Sequence, residues 1–280
     1  MDTTQKLRVV IPTDFSVQAE YAYILVHKLE ERIPMEIHFL HVLPAPDTVS
    51  MDADGKFETC GEIDVKYLET QRDMALDKLK YLQQRYGRHI HTHLRLGKVT
   101  DAILTFAKEI NAGLIAMGTK GAFGIKEKLS GSETQMVVRK STIPVLSMMC
   151  DRSDLQFRNI LLVHDFRQPT RIDLQLMKQL VKSYGCKLHF LQITSGNPDS
   201  ERAAFEKNAS EFARLNGIEN FEPHLLKDTD VENGVIHFNQ MHDMDVVCIG
   251  THGKGGWLHA SATEKLINHL YKPMITFHID

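Results

Sequence analysis

Short apolar runs alternate along the chain with longer stretches in which apolar residues recur every three or four positions. Residues 8–13 make a run suited to a buried strand, and Ser16 can cap a helix that sets Ala19, Ala22, Leu25, Val26 and Leu29 on one face. Residues 37–43 predict the next strand, Leu76, Leu79 and Leu82 mark a second helix, and residues 89–96 alternate as a third strand. Thr100 can cap a third helix carrying Ile103, Leu104, Ala107 and Ile110. A strand over 114–117, a loop, a short helix from Ser132 and a strand over 143–148 complete the series. Short apolar strands, each followed by a helix, imply a parallel sheet covered on both faces. Right-handed crossovers restrict such a chain to the doubly wound type.

The pattern then starts again. VVIPTDF with Asp14 and IHFLHV from Ile37 return as ILLVHDF with Asp165 and LHFLQI from Leu188, so that Asp14 to Asp165 and His38 to His189 are both 151 positions apart. MGTKG ending at Gly121 returns as IGTHG ending at Gly253, 132 positions on, and Pro144 returns as Pro273, 129 on. The fall from 151 to 132 leaves 19 extra residues in the first copy; they fit the polar stretch from Pro44 to about Glu69 and read as a mobile insertion. Within it MDADGKFE, from Met51, lacks the aspartate spacing and the final glutamate of a calcium loop. Two α/β domains are therefore expected, residues 1–150 and 156–280, each a doubly wound, parallel five-stranded sheet in the order 3-2-1-4-5. In such sheets ligands bind beyond the carboxyl ends of the strands where the winding reverses, between strands 1 and 4. Those ends carry Pro12, Thr13 and Asp14 on one side and Met117, Gly118, Thr119, Lys120 and Gly121 on the other.

Composition narrows the partners. With 33 Lys plus Arg against 36 Asp plus Glu the formal charge is −3, and no basic stripe stands out, so nucleic acid is not an expected partner. No apolar run approaches the roughly 20 residues of a membrane span, and the start lacks the segments of a secretory signal, which predicts a cytoplasmic protein without membrane contact. His89, His91 and His93 alternate along one strand, but neighbours on a strand face stand nearly 7 Å apart, too far for all three to share one ion easily. A polar, aggregation-resistant edge is the better reading, and no metal site is expected. No hydrolase motif supplies a nucleophile, so the chain is not expected to be a dedicated enzyme.

The candidate chemistry lies after the fourth strand, in GTKGAFGIKEKLSGSETQ. Gly118 and Gly121 let the main chain turn and approach a ligand without a Cβ in the way, and Gly131 does the same just before a helix. Ser132 with Gln135 three residues on fits a capping box, whose helix start is a natural anion site. Neither the Gly-x4-Gly-Lys-Ser/Thr loop nor a Gly-x-Gly-x-x-Gly after the first strand is present, which argues against P-loop and dinucleotide enzymes. The spacing of Gly118, Gly121, Gly131 and Ser132 resembles the universal stress protein family, whose ATP-binding members carry Gly-x2-Gly-x9-Gly-Ser/Thr. Asp14, Val42 and the Ile-Pro-Val start of the fifth strand add to the likeness.

That resemblance implies ATP or a related adenine nucleotide as ligand, with or without magnesium, and a stress-response role that depends on nucleotide occupancy. Asp14 and Val42 would hold the adenine and its surroundings, and the loop with Ser132 the phosphates. The full candidate set is Pro12, Thr13, Asp14, Val42, Met117, Gly118, Lys120, Gly121, Gly131, Ser132 and Glu133. The second copy keeps Asp165, Gly250, Gly253 and Ser261, but its loop is three residues shorter and Ala260 stands where Gly131 stands. If that position needs φ > 0, alanine costs about 1–2 kcal/mol, so one nucleotide per chain is expected. Family members pair through their fifth strands, which implies an intramolecular pseudo-dimer through residues 143–148 and 274–279, open to further homodimer formation. A nucleotide-independent scaffold for an unnamed partner protein and a slow ATPase are the alternatives.

Overall fold

The computed structural model describes residues 6–52, 54–60, 64–119, 133–251 and 257–279, with backbone alone for 257–261. β1 (Leu7–Pro12) leads into α1 (Val17–Glu30), and the cap is Ser16, whose hydroxyl accepts the Ala19 N–H. There follow β2 (Met35–Pro44), β3 (Val49–Met51), β4 (Phe57–Thr59), α2 (Val65–Tyr86), β5 (His91–Gly97), α3 (Val99–Glu109), β6 (Leu114–Gly118), α4 (Glu133–Lys140) and β7 (Val145–Met148). The second series is β8 (Asn159–Val163), α5 (Gln175–Tyr184), β9 (Lys187–Thr194), α6 (Pro198–Asn216), β10 (Glu222–Lys227), α7 (Val231–Met241), β11 (Val246–Gly250), α8 (Trp257–His269) and β12 (Met274–Phe277).

Ten strands form one sheet in the order β10-β9-β8-β11-β12-β7-β6-β1-β2-β5. Counted within each series, the order 3-2-1-4-5 occurs twice. Every neighbour pair is parallel except β7 with β12, which run antiparallel with Val145, Leu146 and Ser147 opposite Thr276, Ile275 and Met274. Two buried hydroxyls fasten this joint: Thr276 Oγ1 donates to the Val145 carbonyl at 3.3 Å and Ser147 Oγ to the Met274 carbonyl at 3.5 Å.

Successive side chains of a strand point to opposite faces, so the sheet carries two cores. Val9 and Ile11 of β1 join α1, α2, α5 and α6 through Ala22, Leu79, Leu180 and Phe212. Val10 joins α3, α4, α7 and α8 through Phe106, Val137, Phe238 and Leu266. Both cores run through both series without a break. Each fully buried Leu or Phe contributes about 1.5–3 kcal/mol relative to exposure, which is why the apolar runs dictate the sheet so firmly.

Three local expectations are corrected. The stretch read as a mobile polar insertion contains the β3–β4 hairpin, whose Val49 and Phe57 are buried with Leu43, Leu68 and Ala75 in a small core of their own. Its aspartate is a turn former: Asp52 Oδ1 accepts the N–H groups of Asp54 and Lys56 at 3.0 and 2.8 Å, and Gly55 takes the left-handed conformation (φ +80°) that closes such hairpins. Thr100, expected as a cap, lies inside the first turn of α3, and its hydroxyl donates to Glu133 Oε2 at 2.6 Å instead. The third strand begins at His91, so His89 stands outside it.

Candidate functional site

At the switch point of the first series the β1–β6 ladder ends early, beside a missing amide. The β1–β2 ladder runs as far as Pro12 opposite Leu40, but the β1–β6 ladder stops at Val10 opposite Ile115. Backbone N–H groups along a strand point alternately to its two neighbours. Thr13 N–H donates to the Leu40 carbonyl of β2 at 2.8 Å, so the nitrogen of residue 12 faces β6, and a proline has no hydrogen there to give. The paired stretch of β1 with β6 thus ends short of the carboxyl ends, where the winding of this series reverses.

The rim on the β1 side is a tightly bonded turn. Thr13 is buried; its Oγ1 accepts the Phe15 N–H at 2.9 Å and its carbonyl accepts His41 Nδ1–H at 2.7 Å. Asp14 is exposed, and its Oδ1 accepts the Ser16 N–H at 3.0 Å. Between them Phe15 is held at φ +64°, an uncommon conformation for a residue with a Cβ, with its ring 4.5 Å from that of His41. Burial pushes the His41 pKa down against the opposing pull of the Thr13 carbonyl. Val42 and Met117 lie on the same face as Val10, buried in the core lined by α3 and α4.

On the β6 side Gly118 has a structural reason of its own. A Cβ there would lie 2.0 Å from the Gln18 carbonyl oxygen and 2.9 Å from the Ala19 nitrogen, backbone atoms of α1 that cannot move aside. The Gly118 carbonyl accepts from Thr134 Oγ1 at 3.2 Å, which ties the start of α4 back to the end of β6. Glu133 is fixed by Thr100, and Gln135 Nε2 donates to the Glu264 carbonyl of α8 at 2.9 Å. Of the candidate set, Pro12, Thr13, Asp14, Val42, Met117, Gly118 and Glu133 thus belong to one end of the sheet and its first covering turns. Lys120, Gly121, Gly131 and Ser132 lie outside the described residues. Phe15, His41 and Thr134 were not singled out from sequence; Phe15 and His41 flank Asp14 and Val42 in the quoted motifs, and that adjacency was the available signal.

The family model described as universal stress protein family matches residues 7–147. The chain belongs to the universal stress protein family. A universal stress protein of Methanocaldococcus jannaschii is 32% identical over 140 residues, covering 50% of this chain and 79% of that one. Universal stress protein G of Salmonella typhimurium is 29% identical over 110 residues, covering 39% and 75%. The crystal structure of a universal stress protein from Archaeoglobus fulgidus superposes with a TM-score of 0.70 at 22% identity, covering 98% of this chain and 99% of that one, so the whole chain shares its fold. No described helix is long and apolar enough to cross a membrane.

Within this tandem universal stress protein the second switch point is built differently. Val163, in the place of Pro12, has an amide, and the β8–β11 ladder continues to Val163 opposite Ile249, two residues beyond its counterpart. Asp165 is gripped by Arg167, with Nε–Oδ1 and Nη2–Oδ2 both at 2.9 Å. Gln192 replaces His41 and accepts the Phe166 N–H at 3.1 Å, while Phe166 is fully buried among Phe190, Phe205 and Phe212. The place a Cβ would take on Gly250 is filled by Ile279, whose Cδ1 would lie at 2.0 Å. Thr263, in the place of Thr134, has a buried Oγ1 with no hydrogen-bond partner among the described residues. The side chains of Ala260 and Ser261 lie outside the described residues.

Two clefts do not coincide with this site. One of about 240 Å³ opens at the end of β1 on the opposite face, lined by Thr13, Phe15, Ser16, Lys78, Arg85 and Tyr86, and shares only Thr13 with the candidate set. A larger one of about 710 Å³ lies at the amino ends of the second-series strands, bordered by Lys178, Lys182 and Lys187, away from either switch point.

Proposed function

We propose that the first copy, residues 1–150, binds ATP or a related adenine nucleotide at the crevice between β1 and β6, and that the second copy, residues 156–280, does not. The observation that carries this reading is the early end of the β1–β6 ladder beside Pro12, set beside the continued ladder at Val163. Asp14 and Val42 would border the adenine, Pro12, Thr13, Met117 and Gly118 the crevice walls, and Lys120, Gly121, Gly131, Ser132 and Glu133 the phosphates and any accompanying magnesium. The resemblance in the glycine spacing supplies the ligand class; the bonded start of α4 supports it, because a fixed helix start presents its free amides in one direction. The protein would act in the cytoplasm as a nucleotide-dependent stress-response regulator, its two copies held as an intramolecular pseudo-dimer by β7 and β12. Calorimetric titration of the full chain should give about one ATP per chain, abolished by Gly131→Val combined with Ser132→Ala. Two equivalent sites, or a single site that survives those changes, would overturn the assignment to the first copy. No binding at all would favour a nucleotide-independent scaffold, and steady phosphate release a slow ATPase.

A further inference from the structure

Away from the switch point, at the amino ends of β2 and β5, Glu36, His38 and His91 each bring one donor atom to within 4.8 Å of the others. His38 and His91 are directly opposite in the parallel ladder, and Glu36 precedes His38 by two residues on the same face. Distance along one strand is thus irrelevant; the cluster forms across two. Glu36 Oε1 lies 3.4 Å from His38 Nε2 and 3.4 Å from His91 Nε2. Those separations are long for hydrogen bonds, and His38, only 6% exposed, has an Nε2 without a well-aligned hydrogen-bond partner among the described residues. Two ligands about 2.1 Å from a tetrahedral zinc ion stand about 3.4 Å apart, the spacing of Glu36 from each histidine here.

The surroundings orient each donor. Arg8 Nε donates to Glu36 Oε2 at 3.3 Å while its Nη1 is anchored on the Ile110 carbonyl at 2.9 Å, which turns Oε1 toward the two rings. His38 Nδ1 lies 3.0 Å from His93 Nε2, and the His93 ring is seated 4.6 Å from Phe106 of α3. Such outer contacts fix the ring and tautomer of a metal-binding histidine. The His91 side chain is 50% exposed, which leaves a path for an ion and a fourth position for water.

We propose that Glu36, His38 and His91 form a binding site for one zinc-type divalent cation, with two imidazoles, one carboxylate and an open position. The second copy provides an internal control. It repeats the inner part, with His189 Nδ1 3.0 Å from His224 Nε2 and His224 against Phe238. There Lys187 replaces Glu36, and Asn159 replaces Arg8; the Asn159 amide donates to the Asp243 carbonyl, so its Oδ1 faces His189 Nε2 at 3.4 Å. Glu222 also lies near this pair and completes a second group of possible ligands, but the His189 Nδ1 that faces it at 3.4 Å is the nitrogen already paired with His224 Nε2, whereas in the first copy the pairing with His93 uses Nδ1 and leaves Nε2 for the ion. The proposed cation site is therefore assigned to the first copy.

Zinc titration of the metal-free full chain against a chromophoric chelator, followed by zinc-edge X-ray absorption, tests this. One site is expected, ligated by nitrogen and oxygen with the signature of two imidazoles. His91→Ala, at an exposed position that the fold does not need, and Glu36→Gln should each weaken it by tenfold or more, and Glu222→Gln should leave it unchanged. Zinc uptake equal in His91→Ala and the parent chain, sulfur in the coordination shell, loss of uptake in Glu222→Gln, or no uptake at all would each overturn the proposal. The outcome is independent of whether the chain binds ATP.

Discussion

At the first switch point the ladder stops short of a proline and a bonded turn exposes an aspartate; at the second a valine carries the ladder two residues further, an arginine covers the aspartate, and phenylalanines fill the space behind. The strand order is the same in both. Under the proposed reading the fold does not decide whether a ligand is held; a single backbone donor and a few side chains at the strand ends do. One architecture can therefore carry two differently built strand ends on one chain.

The largest effect that can sharpen this contrast should come from the paired glycines. Gly118→Ala drives a Cβ into the backbone of α1 and should destabilise the chain by about 3 kcal/mol in chemical denaturation. Gly250→Ala meets only the Ile279 side chain, which can swing away, and should cost less than about 1 kcal/mol. Equal losses at the two positions would remove the distinction. Pro12→Val restores an amide facing β6, so it should lower ATP affinity about tenfold while adding about 0.5–1.5 kcal/mol of stability, a combination that calorimetry and denaturation together detect. Val163→Pro should do the reverse to the second ladder, destabilising by about 1–3 kcal/mol without creating a nucleotide site.

Smaller differences are expected at the paired threonines and histidines. Thr134→Val loses the bond to the Gly118 carbonyl, about 1 kcal/mol, whereas Thr263→Val removes a buried hydroxyl without a partner and should be neutral or stabilising. In the second copy burial pushes the pKa of His189 and of His224 below 6.5, with Glu222 opposing the shift and Lys187 and His242 among the charges reinforcing it. The unfolded chain therefore takes up protons first as pH falls. The stabilisation is present in full above about pH 6.5 and declines as pH drops through it, so melting temperature should fall from about pH 7 to 5 and less steeply in His224→Gln.

Much of this could be read from the chain because burial leaves a periodic trace. The runs at 8–13, 37–43 and 114–117 each became a strand, and the preserved offsets between Asp14 and Asp165 or Pro144 and Pro273 marked the repeated order. The β3–β4 hairpin escaped because Val49 and Phe57 alternate with polar residues over three-residue strands, too short a period to stand out among charges. Pro12 was named as a site residue, but its role depends on which neighbour position 12 faces, and that is set by the register with β2 rather than by local sequence. The histidines were weighed along one strand, where they are too far apart; the pairing of His38 with His91 exists only once β2 and β5 lie side by side.

The antiparallel joint of β7 with β12 lies inside a single polypeptide. In an assembly of two identical chains meeting along one strand, every inherited substitution is copied to both sides of the junction, so the two crevices must open or close together. Joining the halves in one gene lifts that constraint while the tether keeps them in contact whatever the protein concentration. One half is then free to drift toward a sealed, purely architectural partner, and the other keeps its opening without the mutational history of its neighbour.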